Sequence, residues 1–223
     1  MLPDMANITV YGSTGMVGSD ITREAVSRGH RVTGVSRHEN PDNQVDGVIY
    51  VTGTLQDTAD VVSKAENADI VVISVPGPRD GSSVQPVIDA HAALIPALAD
   101  QDVRVFVVGG AGATLTEDGT KLVDTPDFPE AYAAEARSFA EVLDLYRAAP
   151  AGLDWTMLAP APEIAPGAPA ESYALGEDHP AGGSVTTGTF ARAALDELEN
   201  PVHRRARFTV ADARIALPEE SAH

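Results

Sequence analysis

The stretch Ile8-Thr-Val-Tyr-Gly12-Ser-Thr-Gly15-Met-Val-Gly18 decides the fold. An apolar run of strand character ends in three glycines spaced G-x-x-G-x-x-G, and a helical pattern follows. Gly12 lets the chain turn sharply out of the strand. Gly15 lets backbone N–H groups come close to a ligand, and Gly18 lets helix and strand pack tightly. The N–H groups at a helix start have no partners within the helix, so they face any anion placed there. With a strand before, a helix after and a second strand beyond, this is the arrangement a dinucleotide pyrophosphate requires. Ser13, Thr14, Met16 and Val17 complete the turn and the first helical positions and join the glycines as expected cofactor contacts.

Outward from that motif, strand and helix patterns alternate to the end of the chain. Strands are expected at about 7–11, 31–36, 48–51, 69–74, 103–108, 154–158 and 207–210. Helices are expected at about 15–28, 57–66, 84–98, from near Pro129 through Tyr146, and at about 187–199. Pro96 is expected to kink the third helix. Alternation of this kind predicts an α/β fold, a Rossmann-type doubly wound parallel sheet in three layers. One domain over 1–212 is expected, with an irregular Pro-, Gly- and Ala-rich segment, 159–185, on the substrate side and a loose tail at 213–223.

Composition narrows the function classes. The 223 residues, 43% of them hydrophobic, suffice for one full core. No apolar run approaches the roughly 18 residues of a membrane span, and the N-terminus lacks the basic and apolar regions of a signal peptide. Asn7-Ile-Thr9 matches a glycosylation sequon but opens the first strand and reads as chance. The absence of cysteine excludes disulfides, thiolate metal sites and Cys nucleophiles, and fits a reducing cytoplasm. A net charge of −18 argues against nucleic-acid or anionic-membrane partners. The only lysines are Lys64 and Lys121, so phosphate must be held by arginine and backbone N–H groups. The expected state is a monomer or homodimer working on a small molecule.

In a doubly wound sheet, ligands lie beyond the carboxyl ends of the strands. Here those ends carry glycine- or proline-containing loops, which suits a long cofactor lying across the sheet edge. The expected contacts are Arg37 and His38 after the second strand, Gly53, Thr54 and Leu55 after the third, and Ser74, Val75 and Pro76 after the fourth. Gly109, Gly110 and Ala111 follow the fifth, and Pro160 and Ala161 the sixth. An acid at the end of the second strand would bind a ribose 2′-hydroxyl, whereas an arginine pairs with a 2′-phosphate. Arg37 therefore favours NADP over NAD, while nearby Glu39 keeps NAD open.

Catalytic side chains are scarce. Many short-chain dehydrogenases use Tyr-x-x-x-Lys, in which the lysine lowers the tyrosine pKa. Tyr132 is the best-placed tyrosine, but Ala136 and Arg137 follow it. Tyr146 is followed by Pro150. There is no G-x-S-x-G elbow and no H-E-x-x-H. The six histidines are scattered without ligand spacing, so no metal site is expected. His30 and His203 are expected at the surface and His179 in a loop that could touch substrate.

The chain resembles a group of atypical short-chain dehydrogenases described as NAD(P)H-flavin reductases, with biliverdin-IX-beta/flavin reductase and NmrA-like proteins as more distant relatives. The resemblance covers about residues 6–210. It rests on Tyr11–Gly18, Val107-Val-Gly-Gly-Ala-Gly112, Leu122-Val-Asp-Thr-Pro-Asp-Phe-Pro129, Leu153-Asp-Trp-Thr-Met-Leu-Ala-Pro160, the Pro166-Gly167 turn and Arg207–Val210. It implies a nicotinamide near Gly109–Ala111 and Pro160, and a planar acceptor such as FMN, FAD or a quinone. The group usually places serine after Gly-Gly-Ala-Gly, where Ala113 and Thr114 stand here. It usually ends the third strand Gly-Asp, where Gly53-Thr54 stand, and it has an acid where Thr189 precedes Phe190-Ala191. Tyr132 and Thr114 are the side chains assigned to the reaction. Hydride transfer to a flavin needs orientation and a dry site more than an acid–base pair. Two other readings stand beside this one: a non-catalytic NADP-binding redox sensor of the NmrA-like type, and an epimerase-like enzyme.

Overall fold

A computed structural model describes residues 5–39, 41–78 and 80–213. Among the described residues there are ten strands and five helices; the five helices and seven of the strands follow the expected alternation. The chain runs β1 (Asn7–Tyr11), α1 (Met16–Ser27), β2 (Arg31–Ser36), β3 (Ile49–Thr52), α2 (Thr58–Ala65), β4 (Ile70–Ile73), α3 (Gln85–Leu98) and β5 (Arg104–Val108). It continues with α4 (Glu130–Arg147), β6 (Asp154–Pro160), β7 (Glu163–Ala165), β8 (Tyr173–Gly176), β9 (Ser184–Thr186), α5 (Thr187–Glu199) and β10 (Ala206–Asp212).

Eight strands form one sheet in the order β3-β2-β1-β4-β5-β6-β10-β8. All pairings are parallel except β10 with β8. The strand order reverses between β1 and β4, which opens a crevice at the carboxyl edge there. Helices α1 and α5 cover one face, around Ile21, Phe190, Leu195 and Phe208. Helices α2, α3 and α4 cover the other, around Leu94, Leu143, Tyr146 and Trp155. Burial on both faces explains the continuous apolar run of β4, all four residues of which are buried. Arg28 clamps α1 to α5 by donating to Glu24 (2.7 Å), Asp196 (2.8 Å) and Glu199 (2.8 Å).

The amino edge of the sheet is held by a buried polar network. Arg104, at the start of β5, donates to Thr156 Oγ1 and Glu197 Oε1, both at 2.7 Å. Glu197 also accepts from the backbone N–H groups of Val202 (3.1 Å) and His203 (3.0 Å). Burial pushes the Glu197 carboxyl up, but hydrogen bonds from His203 and Arg104 outweigh it and hold the group below its ordinary range.

Several expectations change. Segment 159–185 is not irregular throughout. Strand β6 runs on to Pro160, β8 pairs antiparallel with β10, and β7 and β9 form a small parallel sheet of their own. Pro129 is the N-cap residue of α4, as the expected start near it requires. Pro96 lies inside α3 on its exposed side. His30 is not at the surface. Its side chain is 3% exposed, its Nδ1 accepts from the Ala6 N–H (3.2 Å) and its Nε2 meets Glu199 (3.1 Å). His203 is half-buried, stacked on Phe208 with ring centroids 4.2 Å apart. The expected tail lies outside the described residues from position 214 on.

Candidate cofactor and acceptor site

The glycine turn has the geometry its sequence requires. Gly12 adopts φ +77°, and a Cβ there would lie 2.2 Å from the Ser74 carbonyl oxygen. A Cβ on Gly18 would lie 2.1 Å from the Gly12 carbonyl oxygen, so helix and turn touch backbone to backbone. Ser13 is fully buried and its hydroxyl donates to the Val35 carbonyl (3.3 Å), tying the turn to β2. Gly15 caps α1 with no side-chain hydrogen bond, and no acid stands in the first turn. Thr14 and Val17 are partly exposed, and Gly15 and Met16 are open to solvent. An uncapped helix end floored by bare backbone is what a pyrophosphate fits, so the residues present suit a dinucleotide.

Beside this turn, the ends of β2 and β3 enclose an open hollow lined by Arg37, Thr52, Gly53, Thr54, Asp57 and Asp60. Gly53 N–H donates to the Ser36 carbonyl (2.9 Å), locking the two strand ends together. The Ser36 hydroxyl donates to the His38 carbonyl (2.5 Å) and shapes the exposed Arg37-His38 turn. Asp57 caps α2 by accepting from Asp60 N–H (3.0 Å), and Asp60 pairs with Lys64. Tyr11 is buried with no hydrogen-bond partner for its hydroxyl. Burial, with Asp60 and Asp57 adding, pushes its pKa well up. Leu55 is buried.

On the other side of the glycine turn lie the ends of β4 and β5. Ser74 and Val75 border Gly12 and Gly18, and Pro76 is exposed. A Cβ on Gly109 would meet Met157 Sδ at 2.9 Å, and one on Gly110 would meet Phe139 at 3.4 Å. The chain then makes a 3₁₀ turn, Ala111–Ala113. Thr114 is 0% exposed, and both its N–H (2.9 Å) and its hydroxyl (2.6 Å) donate to the Ala111 carbonyl. It fixes the turn rather than facing solvent. Pro160 and Ala161 are buried beside β10.

Tyr132 stands in the first turn of α4, 50% exposed. Ala136 stands where the Tyr-x-x-x-Lys pattern would place its lysine, and it packs closely on the 3₁₀ turn. A Cβ on Gly112 would lie 2.5 Å from Ala136 Cβ, so α4 rests on the bare backbone of the 3₁₀ turn where a lysine stem would start. On the face of α4 that looks toward the strand ends, sequence reading found the apolar Phe139 but missed Glu135, 8% exposed, and Ser138. Glu135 Cγ and Ser138 Oγ lie 3.4 and 3.6 Å from where a Cβ on Gly77 would be. The available signal was an acid one place before Ala136 on the apolar stripe Ala136–Phe139–Leu143–Tyr146. His179 Nδ1–H donates to the Leu115 carbonyl (2.9 Å) on the exposed side of the loops. Among the described residues no group of three His, Asp or Glu side chains could hold a metal ion. None of their helices is long and apolar enough to cross a membrane.

Comparison with known proteins agrees with this geometry. Residues 12–201 match a family model described as NAD(P)H-binding. The uncharacterized protein YwnB of Bacillus subtilis (strain 168) is 34% identical over 213 residues, covering 91% of this chain and 97% of its own. A candidate exported protein from Burkholderia pseudomallei superposes with a TM-score of 0.81 at 31% identity, over 93% of this chain and 100% of that one. A candidate NADH-flavin reductase from Streptococcus pneumoniae TIGR4 superposes with a TM-score of 0.77 at 27% identity, over 93% and 100%.

Proposed function

The chain belongs to the NAD(P)H-binding family, and from that premise we propose that it is an NAD(P)H-dependent oxidoreductase that reduces a flavin, a quinone or a similar planar acceptor. The observation that carries this reading is the contact between Ala136 and Gly112. Ala136 fills the place of the lysine of the alcohol–ketone acid–base pair, while the glycine turn keeps its geometry. When bound, the reduced nicotinamide supplies a hydride. The protein's share is then binding, orientation and exclusion of water, for which the buried walls of Met157, Phe139 and Pro160 are suited. Likeness to the Streptococcus protein supports a flavin-type acceptor.

NADP is the preferred cofactor, because Arg37 lines the hollow beside the glycine turn and offers a guanidinium to a 2′-phosphate. The contacts we assign to the cofactor are Gly12–Val17, Arg37 and His38, Gly53–Leu55, Ser74–Pro76, Gly109–Ala111, Pro160 and Ala161. Buried members, such as Ser13, Leu55 and Ala161, contribute backbone or support. Tyr132 is placed on the acceptor side. Thr114 acts through the Ala111 turn it fixes. We place residues 1–212 in one domain, with 159–185 on the acceptor side, and the absence of cysteine fits a cytoplasmic setting.

The test is absorbance of reduced nicotinamide during incubation of purified protein with NADPH and FMN, FAD or a quinone. Decay above background is expected. Tight NADPH binding with no turnover on any planar acceptor would reject the enzyme reading and leave the redox sensor.

A further inference from the structure

Helices α1 and α5 pack side by side on one face of the sheet. Strands β1 and β10 run in the same direction, through the parallel pairings of β4, β5 and β6 between them. Helix α1 leaves β1 and α5 leads into β10, so both helices begin at the carboxyl edge, where ligands bind. Arg28, the C-cap residue of α1, pairs with Asp196 and Glu199 near the end of α5, which sets the two ends, and hence the two beginnings, beside each other. The start of α1 is uncapped and open. The start of α5 is closed by its own chain.

The turn Pro166–Ala170, which follows β7, lies across that start. Gly188 N–H donates to the Gly167 carbonyl (3.0 Å). A Cβ on Gly188 would lie 2.6 Å from Pro169 N, so turn and helix meet backbone to backbone. The Thr186 hydroxyl donates to the Ala168 carbonyl (2.9 Å), and Arg192 donates to the Ala170 carbonyl (2.9 Å). Thr189, fully buried, ties these contacts together. Its hydroxyl accepts from the Ala170 N–H (2.9 Å) and meets Thr186 Oγ1 (2.9 Å). Because the Thr186 proton goes to Ala168, Thr189 is the donor in that second bond. The turn is held firmly, yet Pro166, Ala168 and Pro169 are exposed. They present an apolar surface, and the two prolines have no N–H to offer.

We propose that this turn is the platform on which the planar acceptor lies, and that Thr189 is the residue that positions it. This rests on the proposed reduction of a planar acceptor and names the surface that receives it. The segment leaves β6 at Pro160, where Gly109 N–H at the end of β5 donates to the Leu158 carbonyl (2.8 Å). The turn therefore stands at the edge to which the nicotinamide is assigned, beside the start of α1. A flat ring binds best to an apolar wall fixed in advance, because ordering the wall at binding would cost affinity. Valine at position 189 would match the shape of threonine but neither accept from Ala170 nor donate to Thr186, which frees the turn from α5.

The test is steady-state kinetics with NADPH and FMN, each varied in turn. Thr189→Val is expected to raise the KM for FMN about tenfold and to leave kcat and the KM for NADPH within about twofold, in line with two hydrogen bonds lost from the turn. Thr189→Ser, which keeps the hydroxyl, is expected to return the KM for FMN to within about twofold of the natural protein. Ala168→Gln alters only an exposed side chain of the turn and serves if the valine variant does not fold. It is expected to raise the same KM about threefold or more, at an unchanged melting temperature, because an uncharged polar chain would lose water under the ring. Unchanged KM for FMN in both variants overturns the inference, as does a parallel rise in both KM values. Absence of turnover with any planar acceptor in the unmodified protein overturns the function beneath it, a result distinct from either.

Discussion

Gly18 sits under Gly12 so closely that a Cβ built on it would fall 2.1 Å from the Gly12 carbonyl oxygen, while one on Gly15 would stop at 3.3 Å from that same atom. Gly18 is therefore demanded by the fold and Gly15 by the ligand. Gly18→Val is expected to lower the melting temperature and abolish nucleotide binding together, since backbone on both sides must shift at a cost of about 1–3 kcal/mol or more. Gly15→Val is expected to lower the melting temperature much less than Gly18→Val and still lose binding of NADP and NAD alike. Thermal melts and nucleotide titrations on the two variants separate these outcomes.

Arg37 is exposed at the lip of a hollow it shares with Asp57 and Asp60. With two acids close by, it supplies the hollow's attraction for a phosphate. Arg37→Asp is expected to weaken NADPH by about 10- to 100-fold, in line with about 1.5–3 kcal/mol for a charge-assisted hydrogen bond, and to leave NADH nearly unaffected. Equal losses for the two cofactors would defeat the NADP assignment.

Legibility from sequence followed the range of the interactions. Strands β1 and β2 match their expected limits because each carries apolar residues such as Ile8, Val10, Val32 and Val35 and is bounded by glycines or turns that act locally. Strands β7, β8 and β9 were not legible. Each has three or four residues, and β8 exists through pairing with β10, some 30 residues later. The burial of His30 depends on Ala6 and Glu199, which no local pattern brings together. The glycine turn at the start of α1 was legible because three glycines and a helix start lie within seven residues of each other. The placement of Glu135 against Gly77 was not, because no local pattern brings the end of β4 and helix α4 together.

Ala136→Lys would rebuild Tyr132-x-x-x-Lys in sequence. It is expected to fail in space, because the lysine stem meets the Gly112 backbone. Destabilisation of about 1–3 kcal/mol is expected from overpacking, which for a domain of this size is about 2–4 °C in melting temperature per kcal/mol. No reduction of simple ketones should appear. A gain of NADPH-dependent ketone reduction without loss of stability would contradict the packing described for α4.

The amino edge predicts the pH dependence of stability. Glu197 has its carboxyl held below the ordinary range despite burial, because His203 and Arg104 hydrogen-bond its charged form. A depressed folded-state pKa means that the unfolded chain binds the proton more readily. The stabilisation is therefore present above the ordinary carboxylate pKa of about 4.3 and is lost as pH falls through the lower folded value. Glu197→Gln leaves the Arg104 guanidinium, 5% exposed, without its counter-charge. It is expected to cost about 3–5 kcal/mol near neutral pH. Denaturant midpoints measured from pH 7 downward should show the gap between the natural protein and the variant closing below about pH 4. A gap that stays constant into acid would mean that the buried pair does not set the acid limb of stability.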